Sequence, residues 1–293
     1  MQQRRIAVQG AAGAYGEEAV RQLFGDDATA VPFRETTHVA RAVAREDVDA
    51  GVLPIENTLA GSVHASYDAI VAEPAIHAVD DVVIRIRHCL LAPAGARLES
   101  MSIVESHPVA LAQCTMFFTE HPWLEARAAY NTAGAAADAA ASNDPRRGAI
   151  ASRSAASLYG LEILAANIED RDDNQTRFLL LSRSPAALAI GAFARTLLVV
   201  TTDDRPGALL RLLVPLAERD LNLVKLESRP TGEPWTYRFI LEFEHDADDA
   251  SARDAVAAIA AASRQCRHVG TYRTDVRVAN VSPSPSSRGG ARA

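Results

Sequence analysis

Cysteine is nearly missing from this chain, positive charge is in deficit, and no long hydrophobic run occurs. The three cysteines, Cys89, Cys114 and Cys266, lie far apart and match neither a zinc site nor a disulfide framework. That usage fits a reducing compartment, so a cytoplasmic location is expected. Lys and Arg total 30 against 37 Asp and Glu, a net charge of −7. With no basic stripe to offset it, nucleic acid is excluded as a partner. An anionic small molecule is not excluded, because local arginines and helix N-termini set the field at a site. No stretch approaches the roughly 20 apolar residues of a membrane span. Residues Met1 to Ile6 run straight into a strand-like segment with no apolar signal region.

What is present is ordinary globular material, 48% hydrophobic and 23% charged. At 293 residues the chain can form two or three compact units with their own cores. From the start, short apolar strands alternate with helices. Ile6 to Gln9 reads as a strand, the small-residue turn Gly10 to Gly16 follows, and Glu17 and Glu18 open a helix that runs to Phe24. The glycines of that turn are spaced GxxGxxG, not GxGxxG, which makes a dinucleotide site a weak reading. Strands are expected at 30–33 and 50–53, with a helix over 39–45 between them. Residues 82–91 alternate and read as one long strand crossing into a second lobe. Ser106, His107 and Pro108 have the chemistry of a helix start, and Asn131 with Thr132 caps an alanine-rich helix. Gly148 to Ala151 is a strand leading to Ser152 at the head of another helix.

Two polar clusters stand at the ends of apolar strands, where α/β sheets place ligands. One is Pro54, Ile55, Glu56, Asn57 and Thr58, running on to Gly61, Ser62 and Val63. The other is Asp172, Asp173, Asn174, Gln175, Thr176 and Arg177, leading into the apolar run from Phe178 to Leu181. Polar groups at the mouth of a buried strand are costly unless they cap or serve a site. A capping hydroxyl explains Thr58 or Ser62, but not a glutamate and an asparagine directly after a proline turn. Gln113 projects beside the face of Leu111 and Cys114 and could reach a cleft, although a solvated position is the blander outcome.

Beyond Ser184 and Pro185 an alanine-rich linker precedes a different unit. Its strands and helices follow the order βαββαβ over residues 196–274, the ferredoxin-like split unit.

In this order and number the motifs resemble the prephenate dehydratases, a catalytic domain followed by an ACT regulatory domain, over about residues 4–275. The resemblance rests on 54–58 with 61–63, on 106–108 with 111–114, on 131–133, 149–152 and 174–178, and on 205–209 and 227–230 in the regulatory part. It implies a two-lobed, periplasmic-binding-protein-like catalytic domain over 4–184, with the active site in the cleft. Its first lobe takes 4–80 plus 162–184 and its second 81–161. A ferredoxin-like ACT domain follows over 195–276, and a disordered tail over 277–293. It implies Thr176 and Glu56 as catalytic residues, with Asn57, Thr58, Gln113, Thr132, Ser152, Arg177 and Phe178 around the substrate. For the regulatory site it implies Gly207, Ala208 and Leu209 together with Glu227, Ser228, Arg229 and Pro230, binding L-phenylalanine. Prephenate is the expected substrate, no cofactor or metal is needed, and the chain is expected to be a homodimer or homotetramer. One departure bears on substrate: the family's first turn usually carries GTFS, whereas Gly13, Ala14, Tyr15 and Gly16 stand here, as in the plant arogenate dehydratases. Arogenate is therefore the alternative substrate. A non-catalytic amino-acid sensor is a third reading, and the joint presence of Glu56, Asn57, Gln113, Thr176 and Arg177 argues against it.

Overall fold

A computed structural model describes residues 3–186 and 192–274. The tail expected to be disordered, residues 275 and 276, and most of the alanine-rich linker lie outside the described residues.

The first lobe runs β1 (Arg4–Gln9), α1 (Tyr15–Phe24), β2 (Ala28–Phe33), α2 (Thr36–Ala44), β3 (Ala50–Asn57), β4 (Gly61–Ser62), α3 (His64–Ala72) and β5 (His77–Arg85). β2, β1 and β3 pair in parallel, as right-handed strand–helix–strand crossovers dictate. Helices cover both faces of this sheet, so β3 reads as a nearly unbroken apolar run, with Val52, Leu53 and Ile55 fully buried. Val20 of α1 packs on one face with Ile6, Val8 and Ile84. Val39 and Val43 of α2 and Tyr67 and Ile70 of α3 pack on the other.

The second lobe is β6 (Cys89–Ala92), β7 (Ile103–Ser106), α4 (Pro108–Ala112), α5 (Thr115–Glu120), β8 (Glu125–Ala128), α6 (Thr132–Ser142), β9 (Arg147–Ala151), α7 (Arg153–Tyr159) and β10 (Glu162–Ala166). It has its own five-stranded sheet in the order β10, β6, β9, β7, β8. The chain then returns to the first sheet through β11 (Gln175–Ser182), an antiparallel strand between β3 and β5.

Two boundaries differ from the sequence expectation. The alternating run 82–91 is two strands, because Ile86, Arg87 and His88 carry the chain from one sheet to the other. Residues 162–166 pair with β6, so they belong to the second lobe, not the first.

The regulatory unit is β12 (Phe193–Thr201), α8 (Ala208–Ala217), β13 (Asn222–Pro230), β14 (Tyr237–Asp246), α9 (Ala250–Ala262) and β15 (Gln265–Arg273). Its order is the predicted βαββαβ. It does not hang from a linker. β15 pairs with β5 at Arg273 and Asp80, so one sheet runs through both domains. Leu197, Val199, Ile240, Val269 and Tyr272 join the apolar cluster that holds Leu53, Ile55, Leu179 and Leu181 of the first lobe. Gly270 lies so close to the Ala78 carbonyl that a Cβ there would collide with backbone. The Arg267 guanidinium donates to the carbonyls of Ile70, Glu73 and Ile76 at 2.7 to 2.9 Å. These carbonyls lie at and beyond the end of α3, so the guanidinium adds a cross-domain donor to a helix terminus.

Candidate active site

Between the lobes lies a cavity of about 470 Å³. Strand alternation decides which residues of the two polar clusters reach it. Asn57 on β3 stands opposite Thr176 on β11, and Glu56 opposite Arg177. The first pair faces the cavity and the second the other face of the sheet. Between Arg177 and Phe178 the register slips past Ile55, a bulge that lets Pro54, Asn57, Thr176 and Phe178 all line the wall.

Backbone geometry fixes the polarity of the side-chain network there. The Leu59 and Ala60 N–H groups donate to Asn57 Oδ1 at 3.0 and 2.8 Å. Asn57 Nδ2 must therefore be the donor, to Asn174 Oδ1 at 2.8 Å, the Gln175 carbonyl at 2.9 Å and Thr176 Oγ1 at 2.9 Å. Gln113, which ends α4, donates its Nε2 to Asn57 Oδ1 at 3.3 Å. Its Oε1 then accepts from Asn174 Nδ2 at 2.9 Å and from His88 Nε2 at 3.0 Å. On its other side His88 Nδ1 lies 3.2 Å from the Tyr15 hydroxyl, which donates to the Arg87 carbonyl at 2.6 Å. The Thr176 oxygen is thus an acceptor from Asn57, and among the described residues no acceptor occupies its own O–H, which is left for the cavity. Burial pushes His88 below its ordinary value, opposed by its bond to Gln113 and by Glu169. Burial likewise lowers His107 and raises Tyr15.

The second lobe contributes helix starts. His107 caps α4, its Nδ1 accepting from the Val109 N–H at 3.2 Å. Asn131 caps α6 through Oδ1 to the Gly134 N–H, while its Nδ2 is buried without a partner among the described residues. A buried amide donor left open on a cavity wall is a ready contact for an anionic ligand. Thr132 lines the wall beside it. Among the described residues no Asp, Glu, Lys or Arg lines the cavity; its only titratable groups are Tyr15, His88 and His107.

Of the residues expected around substrate, Thr176, Asn57, Gln113, Thr132 and Phe178 line this cavity. Four others do not. Glu56 points to the far face, 3.8 Å from Lys225 Nζ. Arg177 is buried on that same face, where its Nη2 donates to both carboxylate oxygens of Glu242 at 2.5 and 2.7 Å. Its Nε lies 3.5 Å from Asp81. Both misplacements have one cause: a strand sends alternate side chains to opposite faces. Thr58 ties two loops together, donating to the Asp173 carbonyl at 3.1 Å and accepting from the Gln175 N–H at 3.0 Å. Ser152 caps α7 and donates to the Gly13 carbonyl at 2.8 Å, joining the lobes.

That last contact also explains the glycine-rich turn. Gly13 has φ +81°, and a Cβ there would lie 3.0 Å from the Ala155 Cα, so the turn packs against α7 of the other lobe. Tyr159 adds a hydroxyl bond to the Ala12 carbonyl at 2.9 Å. Tyr15, Asn131 and Asn174 fall within the sequence motifs without being expected around the substrate, and His88 falls outside them. Their joining into one network is visible only after folding.

In the regulatory unit a second cavity, of about 550 Å³, is lined by Asp203, Arg205, Ala208, Leu209, Trp235 and Phe239 among others. Gly207, with φ 76°, turns the chain into α8 beside it. Glu227, Ser228, Arg229 and Pro230 do not line it. β13 is the outer strand, and its alternation turns Lys225, Glu227 and Arg229 onto the first lobe. There Glu227 pairs with His64 at 3.2 Å and Arg229 with Asp68 at 2.6 Å.

Comparison with known proteins agrees with this geometry. The family model for prephenate dehydratase matches residues 6–186, and that for the ACT domain residues 196–261. An Arabidopsis thaliana protein named arogenate dehydratase/prephenate dehydratase 2, chloroplastic, is 38% identical over 281 residues, covering 92% of this chain and 73% of that one. The crystal structure of prephenate dehydratase from Arthrobacter aurescens in complex with L-Phe superposes with a TM-score of 0.84 at 31% identity, covering 92% of this chain and 89% of that chain. A structure described as GqqA, a novel type of quorum quenching acylase, also gives 0.84, at 32% identity over 92% of this chain and 98% of that one. With the prephenate dehydratase model matching residues 6–186 and the ACT model following it over 196–261, this chain belongs to the prephenate dehydratases, hydro-lyases of aromatic amino acid biosynthesis.

Proposed function

We propose that the protein converts prephenate to phenylpyruvate, water and carbon dioxide in L-phenylalanine synthesis, and that phenylalanine regulates it through the ACT domain. The observation that carries this reading is the Thr176 hydroxyl, whose oxygen is held by Asn57 Nδ2 at 2.9 Å while its proton is left for the cavity. Prephenate loses its ring hydroxyl as its ring carboxylate departs, and aromatisation supplies the driving force. The protein has to orient the dianion, keep the scissile carboxylate poorly solvated, and help hydroxide leave. A wall without carboxylates or ammonium groups does the second of these, since a paired carboxylate would be a stabilised one. Thr176 does the third by hydrogen bonding that strengthens as charge grows on the leaving oxygen. Glu56, on the opposite face of the sheet, is no longer a proton donor in this scheme. Asn131 Nδ2 and the start of α6 are the natural contacts for substrate carboxylate.

Arogenate differs from prephenate by an α-ammonium group in place of the keto oxygen. The absence of any acidic side chain among the described lining residues leaves that ammonium without a charged partner, which favours prephenate. The relative described as an acylase raises acyl transfer as a second chemistry to weigh at this site. Acyl transfer needs an activated nucleophile with an adjacent base. Here the side-chain partner of Thr176 is the Asn57 amide, which cannot take a proton. The ACT cavity beside Gly207, Ala208 and Leu209 is the proposed place for phenylalanine. A cytoplasmic homodimer or homotetramer remains the proposal for its setting; among the described residues no helix is long and apolar enough to cross a membrane.

The test is turnover by purified protein with prephenate, arogenate and an acyl-homoserine lactone side by side, with and without phenylalanine. Phenylpyruvate absorbance from prephenate, faster than the other two reactions, is the expected result. A preparation active on the lactone alone would overturn it.

A further inference from the structure

His88 stands where the chain passes from one sheet to the other, buried in the wall of the catalytic cavity. Its two ring nitrogens meet partners whose proton positions are fixed elsewhere. The Leu59 and Ala60 N–H groups make Asn57 Oδ1 an acceptor, and the same chain of bonds, through Asn174, makes Gln113 Oε1 an acceptor too. The 3.0 Å contact from Gln113 Oε1 to His88 Nε2 therefore needs a proton on Nε2. On the other side the Arg87 carbonyl, 2.6 Å from the Tyr15 oxygen, can only accept, so it takes the single phenolic proton. Burial raises Tyr15, which keeps that proton in place. The Tyr15 oxygen then has only lone pairs to offer His88 Nδ1 at 3.2 Å. A neutral His88 sets one lone pair against another there, whereas an imidazolium donates at both nitrogens. The hydrogen-bond partners thus favour a cation, while burial of the ring opposes one. Among the charged neighbours, Glu169 accepts the His88 backbone N–H at 2.8 Å and favours the cation. Glu18 acts on Tyr15 from α1, and Asp170 is engaged by the N–H groups that start α5. Burial raises the thiols of Cys89 and Cys114, which stay uncharged, and His107 is the other histidine on the wall.

We infer that His88 takes up a proton when the dianionic substrate binds, so that an imidazolium in the cavity wall supplies the positive charge that the substrate's carboxylates meet there. No Lys or Arg lines the cavity among the described residues, so this ring is placed to offset a dianion where no permanent cation does. A nearby anion favours the charged form of a buried histidine, and by reciprocity the charged histidine favours the anion. The proton comes from solvent to Nδ1 and returns to solvent when the product, one negative charge poorer, leaves. Both ring N–H groups are turned to protein acceptors. The cation therefore attracts carboxylate without hydrogen bonding to it, and the scissile carboxylate stays poorly solvated. The inference rests on the dehydratase reading and deepens it, because it gives the site a charge preference. Prephenate carries two negative charges, whereas the α-ammonium of arogenate leaves a net charge of one, so arogenate gains less from the cation.

The experiment follows KM for prephenate and for arogenate against pH in the full-length protein and in three variants. Between about pH 6 and about pH 8 the wild-type KM for prephenate is expected to rise about tenfold, and that for arogenate by a smaller factor. His88→Gln, uncharged at every pH, should flatten the rise. Tyr15→Phe keeps the ring but removes the acceptor at Nδ1, so the rise should begin at lower pH. His107→Asn, which retains a capping side chain, should leave the rise in place. A histidine with a structural role alone would change stability or rate without moving these profiles. Should His88→Gln fail to fold, the wild type and the other two variants still decide the matter. Where one substrate is not turned over, its inhibition constant against the other takes the place of its KM. A wild-type KM for prephenate that ignores pH, equal rises for both substrates, a rise that survives His88→Gln, one unmoved in Tyr15→Phe or one lost in His107→Asn overturns the inference and leaves the dehydratase reading intact. A wild-type protein that turns over neither substrate overturns both.

Discussion

The two faces of β11 carry opposite chemistries one residue apart. On one face Thr176 meets Asn57, which joins Asn174 and Gln113 in a neutral network whose polarity is fixed by two backbone N–H groups. On the other, Arg177 is buried against Glu242 and Asp81, with the Tyr272 hydroxyl also on Glu242. Neutral amides leave a cavity without fixed charge, ready for charge that the substrate brings. Buried ions do the reverse: each compensates another, and removing one strands its partner. The difference teaches that the catalytic face is built for reaction rate and the junction face for holding the domains together.

The sharpest way to break that division is to strand Arg177. Glu242→Ala is expected to cost about 3–5 kcal/mol of stability, read by denaturant unfolding, because it leaves a buried guanidinium short of its main counter-charge. The Glu125→Ala change, at a fully exposed ion pair, serves as the near-silent control. A small effect of Glu242→Ala would show that the junction is packing alone.

On the opposite face Thr176→Val should leave the unfolding curve nearly unchanged and raise the barrier to turnover by about 3 kcal/mol, with KM little altered. Near-normal turnover would sink the assignment of Thr176. If Glu242→Ala were instead the variant that lost rate without losing stability, the two faces would have exchanged roles.

A pH profile sharpens the junction further. Burial pushes the Asp81 carboxyl up to about 6, against the pull of Arg177 and the bond from Thr274. Its Oδ1 is buried without a partner among the described residues, which suits a protonated acid. A folded-state value above the unfolded one means this group's stabilising contribution is full below the ordinary carboxylate range and is lost as pH rises through about 6. Glu242 has the opposite sign: burial would raise it, but Arg177 and Tyr272 hold it low, so its contribution is lost on acidification. From pH 5 to pH 7 the wild type should therefore lose about 1 kcal/mol through Asp81, and Asp81→Asn should flatten that slope in melting experiments. Equal slopes in both proteins would assign the effect elsewhere.

The smallest expected change lies where the lobes touch. Ser152→Ala removes the α7 cap and the bond to the Gly13 carbonyl, for about 1 kcal/mol of stability. KM should rise slightly if the lobes part, whereas a pure capping role would move the melting temperature alone.

Much of this molecule was written in local sequence. Strand–cap–helix alternation placed most elements, because hydrophobic period and capping residues act over a few positions. The clusters at 54–58 and 174–178 marked the cavity wall for the same reason, and the βαββαβ order identified the regulatory unit. What sequence could not determine was which member of each cluster faces inward. Glu56 and Asn57 are neighbours, as are Thr176 and Arg177, and only the pairing of β3 with β11 decides which side of the sheet each takes. Nor could it reveal that Gly13 serves a contact between lobes, that His88 and Tyr15 continue the amide network, or that Lys225 crosses from one domain to Ser62 of another. Those facts depend on residues about 70 to 160 positions apart meeting in space, and such meetings are fixed by the packing of whole sheets, not by the chemistry of any one stretch.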